Sequence, residues 1–336
     1  MIDFRYHLVS IIAVFLALAV GLLVGATYLS GPAETLLQDQ QKAATRQNNS
    51  LHATNEQLTR QVGAGNAFAQ AGSERLLTGL LTGEKVVVVE APGITSQMAG
   101  GVIADLQQAG ATVTEQVLLS SSFLTTGGAD ESGLTDQARR LAGPAGVTLP
   151  GAPLYSGTSG QQDAAAIIAA AFVSKDGVGL PASIEHEILQ GFGGYLQVPN
   201  NVTAGSATLA VLLTPGGTQP QSASQGLTAL AAELKSASLG TVMAGALSAV
   251  AATNAVTVAA GAGTVSTVDD ADTASGQIIV AQVLRNLLDG KPVAAYGVGP
   301  ASAPSPAPTP SGSPATTSSR PPGKTPSSGS SNGTSR

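Results

Sequence analysis

From Leu8 to Leu29 the chain reads LVSIIAVFLALAVGLLVGATYL, 22 residues without a formal charge and close to the N-terminus. As a helix this run reaches about 33 Å, enough to cross a hydrocarbon core of about 30 Å. Tyr6 and Tyr28 bracket it where amphipathic rings favour the headgroup layer. Arg5 precedes it and the first charges beyond are Glu34 and Asp39, which predicts a cytoplasmic N-terminus and an extracytoplasmic remainder. Lys42 and Arg46 fall inside the same counting window and reduce that bias. A cleaved signal peptide has an apolar region of about 7 to 15 residues ending at a small-x-small site. This run is longer and no clear site follows, so residues 1–30 are expected to stay as an anchor. Gly21 and Gly25 form a GxxxG pair, a surface on which two such helices can touch.

Of 336 residues, about 220 remain for folding once the anchor and a biased C-terminal tail are set aside, enough for one large domain or two small ones. Charged residues are 11% and aromatics 3%, so the core must be built from Ala, Val, Leu and Ile. The net charge of −6 and the lack of a basic cluster argue against nucleic acid as a partner. With no cysteine, disulfides, thiolate metal sites and cysteine nucleophiles are all excluded.

Ser30, Gly31 and Pro32 predict a break after the membrane helix. Beyond it, Leu37, Ala44, Leu51 and Leu58 recur every seven residues, with Gln41, Asn48, Asn55 and Val62 at the alternate seam position. That is the pattern of a coiled-coil stalk, residues 34–68, whose polar Asn48 and Asn55 weaken the seam while fixing its register. Two chains anchored in one bilayer would pair in parallel, so a homodimer is expected; a lone amphipathic stalk is the alternative. Gly63 and Gly65 soften the helix, and a short helix from about Ser73 to Leu81 is expected to lead into the domain.

The domain, residues 79–299, opens with Lys85 to Glu90, KVVVVE, a continuous apolar run suited to a strand buried on both faces of a parallel sheet. Pro92 and Gly93 end it; a helix from Ser96 and a second strand at about Thr112 to Leu119 complete a βαβ unit. Residues 130–200 read as helical and glycine-broken, with Asp163 to Lys175 and Ser183 to Tyr195 the clearest segments. Alternation resumes with a strand at Thr208 to Thr214, a helix at Ser222 to Ser236 and a strand at Thr241 to Ala244. An unassigned alanine-rich stretch, a strand at Thr264 to Val268 and a helix at Ser275 to Leu288 follow. The fold class is α/β, layered around a mostly parallel sheet. From 300 to 336 proline, serine, threonine and glycine dominate without an apolar period, which predicts a disordered tail.

Three stretches carry a family resemblance: the opening MIDFRYHLVSIIAVFLALAVGLLVGATYLSG, the leucine-seamed stalk, and the closing STVDDADTASGQIIVAQVLRNLLDG followed by YGVG. Its marks are His7, Ser10, Gly21 and Gly25, then Ser266, Thr267, Val268, Asp269, Gly276, Gln277, Tyr296 and Gly297. Together they resemble the actinobacterial copper transporter family typified by mycobacterial copper transport protein B. The resemblance covers residues 1 to about 299 and implies copper transport or homeostasis at the cell envelope, usually named as passage through the outer membrane. It brings no ligand set with it.

Cu(I) favours thiolate and thioether ligands, and Cu(II) accepts imidazole with oxygen or nitrogen. Met1, Met98, Met243, His7, His52 and His186 are scattered without ligand spacing, so the resemblance, if it holds for function, implies a partner or assembly that supplies coordination. An outer-membrane barrel needs strands that alternate apolar and polar, and Val86 to Val89 does not alternate. A single-pass helix carrying an exported α/β domain fits better.

Asp269, Asp270 and Asp272 lie between a strand and the last helix, where carboxylates cap exposed N–H groups. The other reading places Glu90, Asp269, Asp270, Asp272 and Tyr296 along a ligand crevice at the carboxyl ends of the strands, suited to Ca²⁺, Mg²⁺ or a polar organic ligand. Enzyme signatures are lacking: no GxGxxG or Walker loop follows the first strand, no GxSxG occurs, and His186 to Gln190 puts glutamine where HExxH needs its second ligand. No catalysis is expected. The rival functions are an envelope scaffold that recruits other proteins and an extracytoplasmic small-ligand binder.

Overall fold

The structure is a computed structural model that describes residues 4–125, 127–151, 153–199, 206–247, 252–299 and 302–303, with the side chains of residues 4–5 and 26–36 left aside. Its first element, α1 (Phe4–Leu77), is one helix of 74 residues. The break expected at Ser30, Gly31 and Pro32 does not occur, α1 runs on through Gly63 and Gly65, and Ser73 to Leu77 is the last stretch of α1 rather than a separate helix. Helix growth is cooperative, so a missing amide hydrogen at Pro32, costing about 3 kcal/mol, is absorbed by good helix formers on both sides. Tyr6–Gly25 within α1 is long and apolar enough to cross a membrane by length and composition. The seam residues Leu37, Leu51 and Leu58 are 65%, 59% and 52% exposed on α1.

The chain divides into two units, Met1–Gly72 and Ser73–Arg336. In the second, β1 (Lys85–Glu90), α2 (Ser96–Gln108) and β2 (Thr112–Leu119) form the expected parallel βαβ unit. After β2 come α3 (Ser121–Leu124), α4 (Gly128–Ala145), α5 (Ser159–Phe172) and α6 (Ala182–Gly191), then the two-residue β3 (Leu196–Gln197). β4 (Leu209–Thr214), α7 (Gln221–Ala237), β5 (Gly240–Gly245), α8 (Ala255–Ala262), β6 (Ser266–Val268), α9 (Ala274–Leu288) and β7 (Ala295–Tyr296) complete the order. The alanine-rich stretch left unassigned from sequence contains α8, capped by the Asn254 side chain accepting from the Val256 N–H at 3.0 Å.

Among the described residues, seven strands make one sheet in the order β3-β2-β1-β4-β5-β6-β7, all parallel except β3, which runs antiparallel to β2. The chain leaves β1 toward β2 and later returns to β4 on the other side of β1. That reversal between β1 and β4 is a topological switch point, and in open α/β sheets the crevice outside the carboxyl ends of such strands is where ligands sit. The sheet is open, with β3 and β7 as its edges.

Side-chain alternation divides the core. Val87, Val89, Val117, Leu119, Ala210, Leu212 and Met243 pack with α4, α5, α6, α7 and α8 in one cluster. Val86, Val88 and Val242 have the opposite parity, and α2 and α9 cover that second face. These two helices meet closely because Gly101 of α2 has no side chain: a methyl there would strike the Gln277 side chain of α9. Most of β1 and all of β4 and β5 are buried, as the unalternating VVVV run requires.

The tail expected from 300 to 336 lies outside the described residues except for Ser302 and Ala303. Those two hold to the domain: the Ala303 N–H donates to the Ala295 carbonyl at 2.8 Å, and the Gly297 N–H to the Ala303 carbonyl at 2.9 Å.

Candidate functional site

Because β1, β2, β4, β5, β6 and β7 are parallel, Glu90, the acidic run after β6 and Tyr296 all lie on the carboxyl edge of the sheet. They do not form one crevice. β4 and β5 stand between β1 and β6, so Glu90 and Asp269 are separated by three strand spacings, roughly 14 Å. Sequence order hides this, since β4 enters the sheet beside β1 only after the long helical excursion α3 to α6.

Two clefts open on this edge, one on each side of the loop from β1 to α2. The larger, about 510 Å³, lies between that loop, the first turns of α2 and the end of β2, and is lined by Glu90, Ile94, Ile103, Gln116 and Leu118 among others. The smaller, about 310 Å³, sits at the switch point and is lined by Gly93, Thr95, Met98, Pro215, Ala246 and Asp272. Gly93 and Ile94 border both. Gly93 has φ +92°, a conformation that favours glycine, and its backbone packs against Pro215 at the head of the β4–α7 loop. Thr95 begins α2 as its cap, accepting from the Met98 N–H at 3.3 Å.

Of the sequence candidates, Glu90 lines the larger cleft and Asp272 the smaller. Asp272 is anchored as it lies there, its Oδ1 accepting from the Leu247 N–H at 2.6 Å, which ties the loop after β6 to the loop after β5. Glu90 is buried, and the Gln116 Nε2 amide donates to its Oε1.

Asp269 has a different task. Its Oδ1 accepts from the Val298 N–H at 2.7 Å, and its Oδ2 from the Gly299 N–H at 3.0 Å and the Ser302 hydroxyl at 2.6 Å. Its own N–H donates to the Tyr296 carbonyl at 3.1 Å. One buried carboxylate thus ties β6 to the strap that follows β7. A methyl at Gly297 or Gly299 would collide with this carboxylate, which explains the glycines around Val298. Tyr296, half-buried in β7, enters through its backbone and lines neither cleft.

Asp270 is buried at the start of α9, with Oδ1 lacking a hydrogen-bond partner among the described residues. Burial pushes its carboxyl up to about 6, and the charges of Asp269 and Asp272 push the same way. A methyl at Gly276 would overlap the Asp270 backbone carbonyl, so glycine lets α9 start tight against this loop. The capping expected of the acidic run belongs instead to Thr273, whose Oγ1 accepts from the Gly276 N–H at 3.1 Å. A hydroxyl directly before the helix has the right reach, whereas Asp269 is committed to the strap after β7.

A feature no sequence pattern announced is the carboxyl pair Glu115 and Glu185. Glu115 in β2 follows a bulge opposite Val86 and Val87, and it shares the face of Val117 and Leu119. Burial first, then the charge and hydrogen bonding of Glu185 on α6, raise its carboxyl to about 7. Glu115 Oε2 is buried without a donor, so the pair is satisfied only when one proton lies between the two acids.

Histidine and methionine are dispersed. His7 and His52 lie on α1, His186 is exposed on α6 with Nε2 2.8 Å from the Gln190 Nε2 amide, Met98 lines the smaller cleft and Met243 is buried in β5. Among the described residues no group of three or more His, Cys, Asp or Glu side chains is placed to hold a metal ion.

The family described as "Copper transport outer membrane protein, MctB" matches residues 1–306, spanning α1 and the domain through the Asp269 strap. The copper transporter MctB of Mycobacterium leprae is 31% identical over 314 residues, 89% of this chain and 97% of the relative. Those of Mycobacterium tuberculosis and Mycobacterium bovis are 27% identical over 310 residues, with the same shares covered. With the marks of the two ends lying on the long apolar start of α1 and on one strand-and-strap clamp, and with the match running almost from end to end, the chain belongs to the MctB family.

Proposed function

We propose that this chain serves copper transport at the cell envelope as a membrane-anchored protein whose α/β domain acts through partners or assembly rather than by holding the ion itself. The observation that carries the reading is the family match, which takes in the anchor helix together with the whole domain. The dispersal of His7 and His52 along α1, with Met98 on α2, His186 on α6 and Met243 in β5, supports the second half, since Cu(I) and Cu(II) sites both need several such ligands converging. Residues 8–29 are the membrane tether, with the N-terminus cytoplasmic and the domain extracytoplasmic; the family description names the outer membrane. Deleting the gene is expected to raise cell-associated copper severalfold under copper load, measured by mass spectrometry. A chain carrying His52→Ala, His186→Ala and Met98→Leu together is expected to restore the wild-type level. Unchanged copper in the deletion strain would leave an envelope scaffold as the better reading.

The stalk gives the assembly its form in this proposal. Exposed Leu37, Ala44, Leu51 and Leu58, interleaved with Asn48 and Asn55, suit a parallel homodimer, and the open flank at Gly21 and Gly25 suits contact of the two membrane helices. The absence of native cysteine makes a clean test. Leu51→Cys is expected to cross-link to dimer in membranes with a short bismaleimide, while Ala53→Cys, two positions off the seam, is expected to cross-link weakly. Equal yields at both positions would rule the seam out.

A further inference from the structure

The larger cleft is built around one acidic side chain. Glu90 is 8% exposed, the Gln116 amide holds one of its oxygens, and among the described residues it has no ion-pair partner. A carboxyl group lining a cleft is a natural partner for a cation or a hydrogen-bond donor. The walls around it are apolar, built from Ala91, Pro92, Ile94, Ala99, Ile103 and Leu118. α2 presents Gly100 on this cleft, and a Cβ there would meet nothing within 4 Å. At about 510 Å³, a cleft whose lining mixes hydrocarbon with polar groups around one fixed polar pair has the make-up of a small-molecule site.

The ligand class follows from that donor set. A hard divalent cation needs about six oxygen ligands, and Glu90, Gln116 and Ser96 supply too few side-chain oxygens. An anion would meet Glu90 with the wrong sign. An ammonium with a compact hydrocarbon body satisfies both the carboxylate and the walls. We propose that the cleft between α2 and the ends of β1 and β2 binds a small organic amine, its ammonium on Glu90 and its hydrocarbon body against Ile94, Ile103 and Leu118. The site is independent of copper handling, and its test measures no metal.

The experiment uses the full chain in lipid nanodiscs with cyclohexylammonium as probe, and with cyclohexanol and cyclohexanecarboxylate as neutral and anionic controls, read by calorimetry. Saturable binding of cyclohexylammonium below about 10 mM is expected, with neither control saturating. Glu90→Gln keeps the size of the side chain and is expected to weaken binding at least about tenfold. Gly100→Leu fills the cleft without touching Glu90 and replaces a helix-interior glycine by a better helix former, so it is expected to fold and to lose binding. Partition of the probe into lipid is common to all three proteins and cancels in the comparison. The proposal is overturned if cyclohexylammonium shows no saturable binding, if cyclohexanol binds equally well, or if both variants bind like the wild type.

Discussion

Asp269→Ala is expected to destabilise the domain by about 4 kcal/mol, because three donors converge on one buried carboxylate and two of them are backbone amides with nowhere else to turn. Each hydrogen bond to a charged group contributes about 1.5 to 3 kcal/mol, and the buried Gly299 N–H would be left without an acceptor. For a domain of this size the loss corresponds to a fall in Tm of about 8 to 16 °C. Asp269→Asn retains one carbonyl oxygen and should lose about half as much. Asp289→Ala removes only the surface pair with Arg285 on α9 and should cost less than about 1 kcal/mol. Hydrogen exchange gives the local signature: protection at Val298 and Gly299 should vanish in Asp269→Ala under conditions where β1 and β4 stay protected. A loss near 1 kcal/mol with Val298 still protected would mean that the carboxylate acts as a simple cap and that the strap is held by other contacts.

The same residue shows what a sequence can and cannot disclose. KVVVVE, the strand from Thr112 and the amphipathic helices from Ser96 and Ser275 were legible because burial imposes a period on consecutive residues. β3 and β7, two residues each, have no period to display. The acidic run after β6 was visible as a special place, but its meaning rests on Gly299 and Ser302, some thirty positions away in a proline- and serine-rich stretch that composition reads as tail. Glu90 was likewise legible as an acid at a strand end. Its separation from Asp269 was not, since it depends on β4 and β5 entering the sheet between them. At Ser30, Gly31 and Pro32 the local signals pointed to a break that a long cooperative helix overrides.

Glu115 gives the domain an unusual response to pH. A surface carboxylate paired with a cation loses its contribution on acidification; here the folded state raises the carboxyl from 4.5 to about 7, so the folded chain holds a proton that the unfolded chain gives up earlier. Below about pH 4 both states are protonated and nothing is gained or lost. Between about pH 4.5 and 7 the unfolded state ionises first, the folded state binds more protons, and stability falls as pH rises. Above about pH 7 both states are ionised and the loss is complete. Asp270, raised from 3.8 to about 6, adds a slope of the same sign at slightly lower pH. The buried Glu115 carboxyl should contribute on the order of 2 kcal/mol to this fall, allowing for relaxation around the exposed side of Glu185. Urea unfolding of the full chain followed by tyrosine absorbance should therefore give a higher midpoint at pH 5 than at pH 8. Glu115→Gln, neutral at every pH and able to donate to Glu185, should remove the Glu115 share of that difference and make the domain more stable than the wild type at pH 8, while changing little at pH 4; the half-buried Asp105 and buried Asp270 carboxyls, each raised to about 6, keep the remaining slope. Glu185→Gln should act in the same direction but less strongly, because burial, the first cause of the shift at Glu115, remains when the neighbouring charge is gone. A wild-type midpoint that rises from pH 5 to pH 8, or a Glu115→Gln variant with the wild-type slope, would show that the two acids find separate partners in solution and share no proton.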